Sequence, residues 1–339
     1  MPAEAGFIII YEFFQLSTTN NFIIKMSMNN YSSEEAIKKL KQYFNPTHRQ
    51  HFVKKEYLSQ WSKDGKRIFT INKENGEERW LSLKNVCVKN DFYRMYHYFN
   101  EVEQYIIRNY YANEKDKHII SLCENELETW QKQVSLISLV RIAMPDQEKL
   151  LNNFEIQSGE QYQTVFEKYF YDIVNKYVIN KDCSFLDDEL LRTQFCVGLA
   201  TQYLRTDGIH NKYHKATNKI IDNCKANGYD INVEQLSLMT SNIFAILFAW
   251  QLIKNSDHFI ELLISDDCFL TSDMPVVHVG DKDEKGRAIN TSFFFPVTPH
   301  LAFIFPTKEN QIKIINSDEL RFYNKITNDN AFRFVFEHK

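Results

Sequence analysis

Glycine is scarce: nine residues in 339, under half the usual ~7%. No two of the nine have the spacing of a dinucleotide-binding fingerprint, and none precedes Lys and Ser or Thr as in a phosphate-binding loop. No nucleotide or dinucleotide cofactor is therefore expected, while a divalent metal stays admissible. The chain has no Gly-x-Ser-x-Gly, which excludes a hydrolase nucleophile elbow. Long apolar runs are missing too, so neither a membrane span nor a membrane partner is expected. Six cysteines (Cys87, Cys123, Cys183, Cys196, Cys224, Cys268) form no CxxC. That removes zinc-ribbon and thioredoxin-type motifs, and in a chain of this size points to reduced thiols and a cytoplasmic protein.

Excess charge of one sign is also lacking. Lys plus Arg number 40 and Asp plus Glu 44, a net charge of -4, which exerts no general pull on nucleic acid and leaves only local basic patches. What is present is ordinary globular composition, 44% hydrophobic and 25% charged, in a chain long enough for one large domain or two of usual size.

The first 28 residues stand apart. Phe7–Ile10 is apolar but flanked by Glu4 and Glu12, where a signal peptide would carry positive charge. Met26 and Met28 precede a hydrophilic start in which Ser33 could cap a helix through Ala36, Ile37 and Leu40. Two readings stand side by side: a start-site extension over 1–28, or an N-terminal strand or arm packed on the body.

Residues 29–339 read as a single α+β domain. Its opening module, 46–93, is β-rich: Arg67–Ile71 alternates as a strand, Asn75-Gly76 is a hairpin signal, and Arg79–Leu83 returns. A large helical centre covers about 96–255. Ile119 to Val140 forms an amphipathic stripe, 145–159 reads as a polar connection, and Tyr162 to Tyr177 is the next stripe. Ser184 is expected to cap a helix over 185–206. A further helix runs from about 208 to Asn227-Gly228, and Leu236–Ile253 reads as a buried central helix. From 259 to 339 the period returns toward two, with a charged loop at 281–288 and mixed structure after Asn316. The β–α–β order predicts that both β parts meet in one sheet on which the helices pack.

Three segments carry a resemblance. His51-Phe52-Val53-Lys54-Lys55-Glu56-Tyr57-Leu58-Ser59-Gln60-Trp61 resembles the opening motif of the bacterial domain of unknown function 4238 family. Gln202-Tyr203-Leu204-Arg205-Thr206 resembles its mid-chain helix motif. Phe269 to Val276, with Thr271-Ser272-Asp273 and Pro275, resembles its Thr-Ser-Asp-x-Pro strand, followed by Phe295-Pro296-Val297-Thr298-Pro299. Lys54 stands where the family usually has Pro, and Met274 where Asn is common. The resemblance covers roughly 46–336. It implies kinship and no particular activity.

The polar residues of these segments are the candidates for chemistry. At about 100° per residue, Arg192, Gln202 and Thr206 share a helix face with apolar Phe195 and Leu199, and Asp188 lies four residues before Arg192, placed to pair with it. Such a mixed stripe is either a site wall or a buried structural network. Asp273 lies between apolar Phe269-Leu270 and Val276-Val277, so it needs a cation, hydrogen-bond donors or a raised pKa. His51 is a candidate base or ligand, with Arg49, Lys54 and Lys55 adding positive charge. His210 and His214 share a helix face but lack the Glu of a zincin motif.

Two functions follow. One is a hydrolase, nuclease-like, on a phosphate-bearing or nucleic-acid substrate, with His51 and Asp273 as catalytic groups and Gln202, Arg205, Thr206 and Arg192 as substrate anchors. The other is a non-catalytic binding or interaction module in which the same residues are structural. The sequence names neither a reaction nor an oligomeric state.

Overall fold

The structure is a computed structural model and describes residues 46–143, 145–254, 258–280, 284 and 290–339. The expected 1–28 extension, the Ser33-capped helix and most of the 281–288 loop lie outside the described residues. In chain order the elements are β1 (Arg49–His51), α1 (Lys55–Leu58), β2 (Arg67–Asn72), β3 (Glu78–Ser82), β4 (Val88–Asn90), α2 (Glu101–Asn109), α3 (Lys117–Ala143) and α4 (Glu148–Ile173). Then come α5 (Glu189–Leu204), α6 (Asp207–Ala226), α7 (Val233–Lys254), β5 (Phe259–Ile264), β6 (Thr271–Ser272) and β7 (Val277–His278). The chain closes with β8 (Phe293–Thr298), β9 (Leu301–Thr307), β10 (Gln311–Ile314), α8 (Ser317–Asn330) and β11 (Phe334–Glu337). This is an α+β protein with its helices concentrated in the middle of the chain.

Two compact units share these elements. The first holds residues up to Gln50, Lys89–Phe166 and Tyr213–Leu247. It is helical. Ile137, Leu151 and Phe154 form a small core between α3 and α4. Asn100 opens α2 with a capping box, its side chain accepting from Val102 and Glu103 while Glu103 reaches back to the Asn100 amide. Gly159 lies inside α4, where a Cβ would sit 1.7 Å from the Tyr93 carbonyl oxygen, so only glycine allows this approach.

The polar connection expected over 145–159 is therefore corrected. Apart from a 3₁₀ turn at Pro145–Gln147 it is the first half of α4. Its polar residues mislead because several face inward: Asn153, Glu155 and Ser158 are buried. Glu155 is held by Arg94 and Arg141, and the Ser158 hydroxyl donates to the Phe154 carbonyl.

The second unit holds His51–Val88, Glu167–Lys212 and Phe248–Lys339. One sheet has the order β3-β2-β11-β6, all antiparallel, so strands from both ends of the chain do meet. The hairpin between β2 and β3 turns at Gly76, whose φ of 71° suits glycine. A second sheet, β10-β5-β9-β8-β7, is built from the C-terminal part alone, with β10 parallel to β5 and the other pairs antiparallel.

Aromatic rings join helix to sheet in this unit. Phe195 of α5 lies 5.0–5.6 Å, ring to ring, from Phe170, Phe185, Phe303 and Phe305. A Cβ on Gly198 would come within 2.4 Å of the Phe170 Cβ, so α5 crosses the end of α4 at close range.

Helix α5 starts at Glu189, and its cap is Asp188, which accepts from the Leu191 amide; Ser184 instead opens a 3₁₀ turn. The expected pairing of Asp188 with Arg192 is not formed, because Arg192 donates to the Leu186 carbonyl at 2.5 Å. Helix α7 is long and apolar enough to cross a membrane by length and composition, but 72% of its most apolar window is buried within the protein.

Candidate functional site

The three motif segments are stitched together inside the second unit. Tyr57 of α1 donates its hydroxyl to the Pro296 carbonyl at 2.8 Å and meets the Thr271 hydroxyl at 2.6 Å. A phenol has one proton and the carbonyl takes it, so Thr271 is the donor in the second bond. Trp61 donates its indole N–H to the Phe269 carbonyl at 2.8 Å. Arg205, at the end of α5, donates Nη2 to the His51 carbonyl at 2.7 Å, and its Nη1 lies 3.1 Å from Glu167 of α4. The opening motif is thus bound to the strand motif by two aromatic side chains and to the helix motif by a guanidinium.

Asp273 is 2% exposed. Its Oδ1 accepts from the Phe332 amide at 2.9 Å, and its Oδ2 from Arg333 at 2.8 Å and Phe334 at 3.3 Å. The Asp273 amide in turn donates to the Phe334 carbonyl. The carboxylate therefore clamps the backbone that leads into β11. Burial raises its pKa to about 6 against the pull of those three amides, and nearby Asp207 adds to the rise. Of the three ways of accommodating Asp273 that its apolar neighbours demand, main-chain donors and a raised pKa are the ones observed.

The other candidates divide. Arg205 and Arg192 are engaged as above. The His51 ring Nε2 lies 3.3 Å from the Leu83 carbonyl. Gln202 and Thr206 are each 1% exposed. Neither amide atom of Gln202, nor the Thr206 hydroxyl, has a hydrogen-bond partner among the described residues. Buried polar groups without partners are costly and uncommon.

Beside this framework lies a pocket of about 70 Å³. Lys54, Glu56, Tyr57 and Gln60 of the opening motif line one side. Tyr171, Val174, Asn175, Ile179 and Val297 complete it. The Lys54 ammonium sits 4.8 Å from the centre of the Tyr171 ring, a cation–π contact. Tyr171 is 4% exposed, and its hydroxyl has no hydrogen-bond partner among the described residues. Burial pushes that phenol's pKa well up, so the hydroxyl keeps its proton and can donate.

The wall at 174–179 exists because α4 continues as a π-helix over Val174–Val178. The wider turn moves the residues after Ile173 off the regular 3.6-residue phase, a distortion frequent at functional sites.

Sequence reasoning missed Tyr171, Asn175 and Val297 as site residues, and took Lys54 as local positive charge suited to a phosphate-bearing substrate or to solvent. The available signal was Lys54 itself, a cation where the resembled motif has proline. Among the described residues no group of three or more His, Cys, Asp or Glu is placed to hold a metal ion.

No curated protein and no solved structure matches the chain. The sequence model of a family does match it, over residues 49–339, a span that includes all three motif segments and the whole pocket: the chain belongs to the family described as Protein of unknown function (DUF4238).

Proposed function

We propose that this chain is a non-catalytic binding module, and that its site is the Lys54–Tyr171 pocket, which takes a small molecule with an anionic head, carboxylate or phosphate. The observation that carries this reading is the Lys54 ammonium, which faces an aromatic ring in the pocket wall and, among the described residues, forms no ion pair, although Glu56 lines the same pocket. An ammonium so placed attracts an anion into a partly water-excluded site, where the attraction exceeds its value in bulk water. The amides of Gln60 and Asn175 add hydrogen-bonding capacity, and the rings of Tyr57 and Tyr171 with Val174, Ile179 and Val297 suit an apolar body.

The hydrolase alternative fits less well. It needs Asp273 to face a substrate, and the three main-chain amides already occupy that carboxylate. The test is a calorimetric titration of the full chain with inorganic phosphate, phenyl phosphate and benzoate. Heat of binding for at least one of them, lost in Lys54→Met with the fold retained, supports the reading. Phosphate alone binding would assign the head group, benzoate alone would assign a carboxylate, and no heat with any of the three would overturn the reading.

A further inference from the structure

A thiol and an imidazole lie together elsewhere in the second unit. Cys268 directly precedes the Phe269–Val276 motif, and His300 directly follows the Phe295–Pro299 element. Their side chains meet, with Sγ 4.0 Å from Nε2. The other ring nitrogen, Nδ1, lies 3.1 Å from the Ser265 carbonyl oxygen. A carbonyl only accepts, so Nδ1 carries the proton of the neutral ring and Nε2 presents its lone pair to the thiol.

Hydrogen bonds fix the backbone at both partners. The Ser265 amide donates to the His300 carbonyl and the His300 amide to the Thr298 hydroxyl, while Asn324 donates to the Cys268 carbonyl and accepts from the Leu270 amide. His300 is exposed and Cys268 half-buried, so small reagents reach the sulfur.

The charges around the thiol define the reagent. Partial burial and the carboxylates of Asp267 and Glu337 raise the Cys268 pKa, and Lys63 opposes them weakly. The resting group at neutral pH is thus a thiol, and without a base it is a poor nucleophile. The two carboxylates also repel anionic electrophiles and leave small neutral ones favoured.

We propose that Cys268 and His300 form a base-assisted thiol that hydroperoxides oxidise to a sulfenic acid. The sulfur attacks one peroxide oxygen; an S–O bond forms and the O–O bond breaks. His300 Nε2 takes the thiol proton and passes it to the leaving oxygen, which departs as water or an alcohol. Sulfur is oxidised by two electrons and the peroxide is reduced by two.

The test treats the full chain with hydrogen peroxide in the presence of dimedone and follows the adduct on Cys268 by peptide mass. At pH 7 the adduct should form roughly a hundredfold faster in wild type than in His300→Gln, the lower end of what a positioned base contributes. The wild-type rate should also be nearly flat between pH 7 and 8.5, since proton transfer to His300 replaces prior ionisation. A ratio near one would overturn the proposal. So would a wild-type rate climbing about tenfold per pH unit, the signature of a thiolate reacting unaided. The pH profile needs no variant, so the test stands even if His300→Gln fails to fold.

Discussion

Two buried carboxylates, one in each unit, are accommodated by opposite means. Glu155, in the helical unit, is 1% exposed and meets two guanidinium groups: Arg94 Nη2 at 2.5 Å and Arg141 Nη2 at 2.8 Å. Asp273, in the β-rich unit, is as deeply buried and meets three main-chain amides and, among the described residues, no side-chain cation. Glu155 joins two side chains to α4, so its work is electrostatic. Asp273 fixes the path of a backbone segment, and the charge itself is a burden there. A buried acid beside a conspicuous motif thus need not be a catalytic one. The donors around it decide what its charge is for.

The largest effect that would test this contrast is loss of Glu155. Glu155→Ala leaves two arginines facing each other around an uncharged gap and should cost about 3 kcal/mol, the low end for breaking a buried pair because both arginines are about one-third exposed. Asp273→Ala orphans three half-exposed amides but removes a desolvated charge, so the net cost at pH 7 should be about 1–2 kcal/mol. Urea midpoints with a shared m value would check both. Equal losses, or the reverse order, would break the comparison.

The pH response sharpens it. Asp273 has a pKa of about 6 in the folded chain, above its ordinary value near 3.8. Between those values the folded state holds the proton more tightly than the unfolded chain. The stability this group lends is therefore fully present below about pH 4 and lost as the pH rises through 6, amounting to about 3 kcal/mol. Asp273→Asn, which carries no titrating proton, should lack this component. The difference in unfolding free energy between wild type and Asp273→Asn should accordingly fall from pH 4 to pH 7. A difference that stays constant would show that Asp273 titrates as an ordinary acid, and one that rises would show that folding lowers its pKa.

A smaller effect concerns Gln202. Its amide is buried without hydrogen-bond partners among the described residues. Replacing an unsatisfied buried amide by an apolar side chain of similar size should stabilise the protein by about 1 kcal/mol. A thermal midpoint that rises in Gln202→Leu fits that account, and a fall of several degrees would show that the amide makes bonds in solution.

Much of the fold was legible because its β parts alternate and most of its helices present apolar stripes. β2 and the buried α7 are clear from residues such as Ile68, Phe69, Ile246 and Trp250. The first half of α4 was not legible, since Asn153, Glu155 and Ser158 turn polar groups inward and hide the 3.6-residue period. The start of α5 was misplaced because Ser184 and Asp188 are both good caps, and only the geometry shows that Asp188 is the one used.

For the site, the motif segments were visible, and the structure joins them through Tyr57, Trp61 and Arg205. The pocket was not visible. Asn175 owes its placement to a π-helical turn, and periodicity arguments assume that such turns are absent.

The most direct test of the central claim, that Asp273 serves the fold and Lys54 serves a ligand, compares ligand-induced stabilisation in wild type, Lys54→Met and Asp273→Ala. With the best-binding anion of the titration panel at about a hundredfold its Kd, the unfolding free energy should rise by about 2.7 kcal/mol in wild type. Asp273→Ala should start lower and gain the same increment. Lys54→Met should start near wild type and gain almost nothing. An increment that vanishes in Asp273→Ala and persists in Lys54→Met would contradict the account and return Asp273 to the binding site.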